Sequence, residues 1–209
     1  MKTVELFCGT KSFSKVAKSR GHDTFTVDND EQFEPDLCED ITKIVKLSNN
    51  LDVIWASPPC ESFSVAAIGK NWDKETKQPK TKKAIESLKL LDDTVFIIKN
   101  SETKYWFIEN PRGMMRKKID EIFSKYQITG YVRRTVTYCK YGDNRMKPTD
   151  IWTNCKQWIP KPPCKNGAPC HVAAPRGSKT GTQGLKNAKL RGVIPPELFH
   201  EIFDSIQNL

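Results

Sequence analysis

Residues 51–64 read LDVIWASPPCESFS, an apolar run that ends in two prolines and a cysteine. The apolar residues at 51–57 predict a buried strand, because short continuous apolar runs are typical of the interior of parallel sheets. The rings of Pro58 and Pro59 restrict the backbone, so they hold Cys60 stiffly at the end of that strand. A cysteine that only packs in a core needs no such support. We therefore interpret Cys60 as a candidate nucleophile.

Strands and helices alternate on both sides of this stretch. The predicted strands span residues 3–7, 23–28, 105–110, 131–139 and 150–154. The predicted helices span residues 12–20, 82–99, 114–125 and 194–206, with a short helical turn that begins at Asp40. We expect the strand at 150–154 to pair with the strand at 131–139. This order predicts an α/β fold with a mostly parallel sheet, helices on both faces and an antiparallel strand pair near the end.

Reactive and polar residues follow the predicted strands at their carboxyl ends. They are Cys8, Gly9, Asp28, Asp40, Cys60 and Glu109. Ligands of open parallel sheets bind at that edge, so the sequence predicts a single site there. Gly9 allows a ligand to approach the backbone closely, and an acid such as Asp28 can accept hydrogen bonds from ribose hydroxyls.

The composition is that of one globular domain with a basic surface. The chain has 209 residues, 37% of them hydrophobic, and a net charge of +9, which favours a polyanionic partner such as nucleic acid. No segment resembles a signal peptide or a membrane span, so we expect a cytoplasmic protein with reduced thiols. The odd number of cysteines, seven, also argues against a disulfide framework.

Residues 155–192 are rich in proline, glycine, lysine and cysteine and lack periodicity. Within them, Cys164, Cys170 and His171 are candidate zinc ligands, since a metal can organise a segment that has little core of its own. We prefer Cys139 to Cys155 as the fourth ligand, because Cys139 ends a strand on the side that faces the predicted site. The alternative is a set of unliganded thiols in a loop that packs on the sheet.

Three motifs, in order, resemble those of the DNA cytosine-5 methyltransferases. They are ELFCGTKSFSKVAKSRGHDTFTVDND at 5–30, ASPPCESFS at 56–64 and FIENPRG at 107–113. The resemblance covers residues 3 to 154 and, more weakly, the C-terminal helix. It implies a Rossmann-like methyltransferase fold, S-adenosyl-L-methionine as the cofactor and double-stranded DNA as the partner.

The resemblance assigns catalytic roles that agree with the chemistry of the residues. The thiolate of Cys60 would add to carbon 6 of cytosine, which makes carbon 5 nucleophilic. Glu109 would protonate ring nitrogen 3, and the alternative is a carboxylate that makes a local cap. We expect Asn110 to shape the loop. Arg145 could contact the carbonyl oxygen of the base, contact a phosphate or be a solvated charge.

The resemblance also implies a set of cofactor-binding residues. They are Phe7, Cys8, Gly9, Thr10, Asp28, Asp40, Ile41 and Pro59. Asp40 and Ile41 resemble an Asp-Ile pair that holds the amino group and the ring face of adenine. Lys11 and Ser12 stand where the family has further glycines.

Other positions depart from the family pattern. Glu61 replaces a glutamine, Pro111 replaces a valine, and Lys147 replaces the second arginine of an Arg-x-Arg loop. The usual target-recognition domain is nearly absent, so we expect DNA sequence to be read by the short insert and by the polar loop 70–83, which we expect to be mobile. We divide the chain into a catalytic core at 1–154, the insert at 155–192 and a C-terminal helix at 193–209.

The sequence as a whole predicts an enzyme that flips cytosine out of DNA and methylates carbon 5. The small size indicates a stand-alone modification enzyme, encoded by a phage or mobile element, that protects DNA from restriction. One alternative is methylation of cytosine in RNA or in free nucleotides. Another is a catalytically silent nucleic-acid-binding protein. An adenine-amino methyltransferase is disfavoured, because Ser-Pro-Pro-Cys stands in place of the Asp/Asn-Pro-Pro-aromatic motif of those enzymes.

Overall fold

The computed structural model describes residues 1–173, 185 and 187–207, and within them the strands form one seven-stranded sheet. The strands are β1 Lys2–Leu6, β2 Asp23–Asp28, β3 Leu37–Cys38, β4 Leu51–Ala56, β5 Thr103–Pro111, β6 Val132–Thr137 and β7 Pro148–Thr153. Their order is β3-β2-β1-β4-β5-β7-β6. Neighbours from β3 to β5 are parallel, and β7 is antiparallel to both β5 and β6.

Helices cover both faces of the sheet. They are α1 Ser12–Ser19, α2 Ile68–Asn71, α3 Lys82–Asn100, α4 Ile119–Lys125, α5 Ala188–Gly192 and α6 Pro196–Gln207. Alternate residues of the central strands point to opposite faces, which divides the interior into two cores. Val53 and Trp55 pack with α1 and α6, whereas Ile54 and Ala56 pack with α3 and α4. The predicted α/β fold is therefore confirmed.

The third strand was missed, and the bounds of several other strands differ from the prediction by one or two residues. β3 consists of two exposed residues, which is too short to show a pattern. The strand predicted at 131–139 ends at Thr137, because Tyr138–Tyr141 form a 3-10 turn. The strand predicted at 150–154 begins at Pro148 and lies between β5 and β6. Its pairing with β6 is confirmed, and its pairing with β5 is an additional finding.

The segment predicted to be a mobile loop has fixed contacts. Trp72 is fully buried, its ring stacks on Phe63, and its indole N–H donates to the carbonyl of Ser62 at 2.7 Å. An isolated bridge pairs Trp72 with Pro79. The loop prediction is therefore wrong at Trp72, because burying this large aromatic side chain holds the base of the loop in place.

The first residues of the predicted insert belong to the core. Cys155 and Trp158 are fully buried in the cluster that packs against α6. Residues 174–184 and 186, also within the predicted insert, lie outside the described residues. In the part of the chain that the structure describes, no helix is long and apolar enough to cross a membrane.

Candidate active site

The turn that carries Cys60 lies beside Glu109. β4 and β5 are parallel neighbours with Ala56 paired to Ile108, so both chains leave the sheet at the same edge. The side-chain amide of Asn110 donates to the carbonyl of Pro58 at 2.9 Å, which fixes the proline segment against β5. This contact agrees with the loop-shaping role that we expected of Asn110.

Glu109 is a buried carboxyl group with two hydroxyl partners. Only 5% of the residue is exposed, and the hydroxyl of Tyr138 donates to Oε1 at 3.0 Å. Burial raises the pKa of Glu109, although the charge of Lys147 and hydrogen bonds with Tyr138 and Ser57 act in the opposite direction. A carboxyl group with a raised pKa keeps its proton at higher pH, as a general acid requires.

Two charged groups, Lys147 and Glu109, affect the pKa of the Cys60 thiol. Burial is the largest influence and raises the pKa of Cys60, the charge of Lys147 lowers it, and Glu109 raises it. The ammonium of Lys147 lies 4.9 Å from the centre of the Tyr138 ring. Lys147 therefore favours the thiolate. From the sequence, Lys147 was noted only as the replacement of the second arginine in the Arg-x-Arg loop. Its place in that loop was the signal that could have identified it as a residue of the site.

Arg145 is buried and fully engaged with the protein. It is 4% exposed, and its five N–H donors reach the carboxylate of Asp143 and the carbonyls of Leu190, Arg191 and Val193. The alternative of a solvated charge is therefore wrong. In this arrangement the guanidinium ties the loop after the 3-10 turn to the segment that leads into α6. A contact with the base remains a prediction and would require one of these bonds to be released.

A close backbone contact supports the turn at residues 58–64 that carries Cys60, which we call the catalytic turn. The amides of Phe63 and Ser64 both donate to the carbonyl of Cys60, at 3.1 and 3.0 Å. Met114 in turn donates its amide to the carbonyl of Phe63 at 2.8 Å. A Cβ atom at Gly113 would lie 2.1 Å from that carbonyl oxygen, so glycine is required there by space.

A cleft lies next to the catalytic turn, at the carboxyl ends of β1 and β2. The empty space between its walls, which is open to solvent, is about 330 Å³. It is lined by Phe7, Val27, Asp28, Asn29, Glu39, Asp40, Ile41, Pro59 and Leu90. Five of the eight predicted cofactor residues are in that lining. Cys8, Gly9 and Thr10 are not, and they form the adjoining turn.

The cleft has acceptors and an apolar wall that fit a nucleoside. Asp40 uses Oδ1 to cap the 3-10 turn Ile41–Lys43 through the amide of Thr42, and its carboxylate has further lone pairs that can accept from a donor. Asp28 accepts from the amides of Gly9 and Asp30, at 2.9 and 3.0 Å. A carboxylate oxygen has more than one lone pair, so Asp28 can still accept from a ribose hydroxyl.

The turn after β1 has an unusual backbone. Phe7, Gly9 and Lys11 all have positive φ angles, of 57°, 44° and 56°. A positive φ is rare for an aromatic residue and marks a strained backbone that the surroundings must hold. Cys8 is 4% exposed, and burial raises its pKa to about 12, so its thiol has a packing role. The turn therefore shapes the end of the cleft through its backbone.

The four predicted metal ligands lie together. One ligand atom from each of Cys139, Cys164, Cys170 and His171 is within 4.8 Å of every other. Cys155 lies in the core instead, as expected from the preference for Cys139.

Comparisons with known proteins identify a family and a relative of similar sequence. The family model of C-5 cytosine-specific DNA methylases matches residues 1–132. A protein of Frog virus 3 (isolate Goorha), named "Probable DNA (cytosine-5)-methyltransferase", is 31% identical over 225 residues. The match covers 98% of this chain and 99% of the viral protein.

A solved structure of low sequence identity has a related fold, and a second is less similar. A DNA modification methyltransferase encoded within a prophage of E. coli has a TM-score of 0.52 and is 18% identical, over 73% of this chain and 46% of that chain. The Dnmt2 methyltransferase of S. pombe has a TM-score of 0.49 and is 14% identical, over 73% of this chain and 48% of that chain. The chain thus spans about half the length of these structures. Since the family model matches more than half of the chain and the viral relative is similar along almost its full length, the chain belongs to the family of C-5 cytosine-specific DNA methylases.

Proposed function

We propose that this protein methylates carbon 5 of cytosine in double-stranded DNA, with Cys60 as the nucleophile and Glu109 as the acid. The observation that carries the proposal is the position of these two groups at the ends of adjacent strands, where the charge of Lys147 lowers the pKa of both and Glu109 raises the pKa of Cys60. Covalent attack on a cytosine ring needs a thiolate and a nearby proton donor, and Cys60 and Glu109 would supply them at this edge of the sheet.

The chain's own residues account for the activation of the base. The thiolate of Cys60 forms a bond to carbon 6 while Glu109 gives its proton to nitrogen 3, so the electron pair of the ring becomes available at carbon 5. When bound in the cleft, S-adenosyl-L-methionine supplies the electrophilic methyl group. Loss of the carbon 5 proton to a base then expels the Cys60 thiolate. Return of the nitrogen 3 proton to the Glu109 carboxylate restores both the neutral ring and the acid.

Cofactor binding in the cleft is part of the proposal. Asp40 would accept a hydrogen bond from the amino group of adenine, Ile41 would contact the ring, and Asp28 would accept from the ribose. Each role matches a group that lines the cleft. The metal-binding prediction concerns a separate cluster, and no step of the methyl transfer depends on it.

The substrate must leave the helix to reach Cys60, because carbon 6 is not accessible to a thiolate within stacked bases. The net charge of +9 favours a polyanion over a free nucleotide. We infer a role in protecting DNA from restriction. It predicts that DNA from cells expressing the protein resists cleavage by a restriction enzyme that methylation at the same site blocks.

A suicide substrate tests the mechanism. Fluorine at carbon 5 cannot leave as a proton does, so 5-fluorocytosine DNA together with the cofactor should give a denaturant-stable protein–DNA adduct. Cys60→Ser should give none, since an alcohol supplies almost no anion at neutral pH. Cys38→Ser is the matched control, because Cys38 is exposed and its loss should leave the adduct unchanged.

The same assay separates the alternatives. An adduct that persists in Cys60→Ser, or methylation found on an exocyclic nitrogen, would contradict the proposed chemistry. Faster transfer to RNA or to free cytosine nucleotides than to duplex DNA would identify a different substrate. Nucleic-acid binding with no methyl transfer to any of these substrates would indicate the catalytically silent alternative.

A further inference from the structure

Three thiols and one imidazole converge beside the carboxyl end of β6. Cys139 lies in the 3-10 turn Tyr138–Tyr141, and Cys164, Cys170 and His171 come from the segment that packs against it. The Sγ atoms of Cys164 and Cys170 are 3.2 Å apart. The Nδ1 atom of His171 is 3.5 Å from the first and 3.9 Å from the second.

These separations match the edges of a tetrahedral metal site. With metal–sulfur bonds of about 2.3 Å, the ligand atoms of such a site lie about 3.7 Å apart. They do not match a disulfide, whose sulfur atoms are about 2.05 Å apart. Three cysteines and one histidine are also a common donor set for structural zinc.

Hydrogen bonds of the backbone hold the segment that carries three of the ligands. The amide of Cys164 donates to Oγ1 of Thr137 at 2.8 Å, and the amide of Val172 donates to the carbonyl of Asn144 at 2.9 Å. Between them, Gly167 has a φ of 82°, a left-handed conformation that lets the chain turn back towards Cys139. Both ends of the ligand-bearing segment are therefore fixed, one to the last residue of β6 and the other to the loop that follows the 3-10 turn.

We propose that Cys139, Cys164, Cys170 and His171 bind one zinc ion that fastens this segment to the wall of the active site. All four positions are filled by protein, which is the arrangement of a structural zinc rather than a catalytic one. Zinc binds thiolates and neutral imidazole, so the three thiols give up their protons to solvent when the ion enters.

The position of the cluster gives the ion a consequence for the chemistry. Tyr138, whose hydroxyl donates to Glu109, is the residue directly before Cys139. A ligand bond to Cys139 therefore restrains the backbone that orients Tyr138. Loss of the ion should remove this restraint, so that Tyr138 moves relative to Glu109 and the rate of methyl transfer falls. Cys60 and the cofactor cleft should keep their own contacts.

Metal content is the direct test. The full-length protein, isolated without chelators, should contain one zinc per chain by elemental analysis. Cys164→Ser and Cys170→Ser should each lose most of it, whereas Cys38→Ser, which alters an exposed cysteine outside the cluster, should keep it. His171→Cys should also keep the ion, because four thiolates bind zinc, while His171→Ala should bind it much more weakly.

A second measurement holds even if the serine variants do not fold. Wild-type protein denatured with chelator should show seven reactive thiols. In a separate experiment, treatment of the folded protein with chelator should increase cleavage by trypsin at Lys165, and added zinc should reverse the increase. Cobalt(II) in place of zinc should give the visible absorption bands of tetrahedral thiolate ligation. Absence of metal in the isolated protein with no uptake of added zinc, or five reactive thiols that indicate a Cys164–Cys170 disulfide, would overturn the proposal. Metal content is read without reference to activity, so it does not depend on the proposed methyl transfer.

Discussion

At the scale of single residues, the raised pKa values of Glu109 and Cys60 have opposite consequences for the rate. Glu109 must be protonated to act as an acid, so activity should fall as pH rises through its raised pKa. Cys60 must be a thiolate, so activity should increase as pH rises towards its raised pKa. The pH profile of methyl transfer should therefore be bell-shaped.

Glu109→Gln removes the acid while keeping the size of the side chain. We expect the rate of adduct formation with 5-fluorocytosine DNA to fall by a factor of about 10² to 10⁴, because an amide cannot protonate the ring. The decline at high pH should disappear as well. Tyr138→Phe is the companion variant: it leaves the acid in place and should lower the rate far less. Equal rates for Glu109→Gln and the wild type would exclude the assigned role.

Asp40→Asn tests the adenine contact without removing the cap of the 3-10 turn. The asparagine carbonyl can still accept from Thr42, but an amino group then stands where Oδ2 was, opposite the expected adenine amino group. We expect the dissociation constant for S-adenosyl-L-methionine to increase about tenfold, as for the loss of one hydrogen bond to a charged group. Calorimetry measures it, and unchanged affinity would place adenine elsewhere.

At the scale of elements, the catalytic turn depends on the extension of β5 that passes beneath it. Gly113→Ala places a Cβ atom against the carbonyl oxygen of Phe63, so the turn that carries Cys60 must shift. We expect a loss of about 1–3 kcal/mol in the free energy of unfolding and a larger relative loss of activity. Gly69→Ala is the control, because its Cβ would have no atom within 4 Å. Full activity in Gly113→Ala would show that the turn adjusts without cost.

The contact between β1 and α1 makes stability depend on pH. Glu5 is 3% exposed and accepts hydrogen bonds from the amides of Phe13 and Ser14, and burial raises its pKa from 4.5 to about 7. Between these values the folded protein holds more protons than the unfolded chain. The free energy of unfolding should therefore fall by up to about 3 kcal/mol as pH rises through this window, and level off above it.

Urea unfolding across that pH range measures the effect. Glu5→Gln should be the more pH-independent protein, because its side chain does not titrate. A wild type whose stability increases between pH 4.5 and about 7 would contradict the raised pKa of Glu5.

At the scale of the whole molecule, the basic charge should govern binding to DNA. Affinity for duplex DNA should decrease by about 0.9 log units per log unit of salt for each phosphate neutralised. Lys74 and Lys80, exposed on the loop next to the catalytic turn, should each lower that slope when changed to alanine. Lys104, the second residue of β5, lies at the opposite edge of the sheet, so Lys104→Ala should leave the slope unchanged. A slope that does not respond to either loop lysine would exclude the loop from the DNA contact.

The sequence by itself determined the strand–helix alternation and the residues at the strand ends. Local periodicity reports which side of an element is buried, and the strand-end position of Cys60 and Glu109 follows from that pattern. It also grouped Cys164, Cys170 and His171, which are close in the chain.

Only the tertiary structure decided which distant residues meet. It placed β7 between β5 and β6, buried Arg145 among three backbone carbonyls from residues 190–193, and brought Lys147 within range of Cys60 and Glu109. The physical reason is that a charged side chain or an unpaired strand can interact with residues that are far away along the chain. Those partners are set by how the whole core packs, whereas periodicity contains only local information.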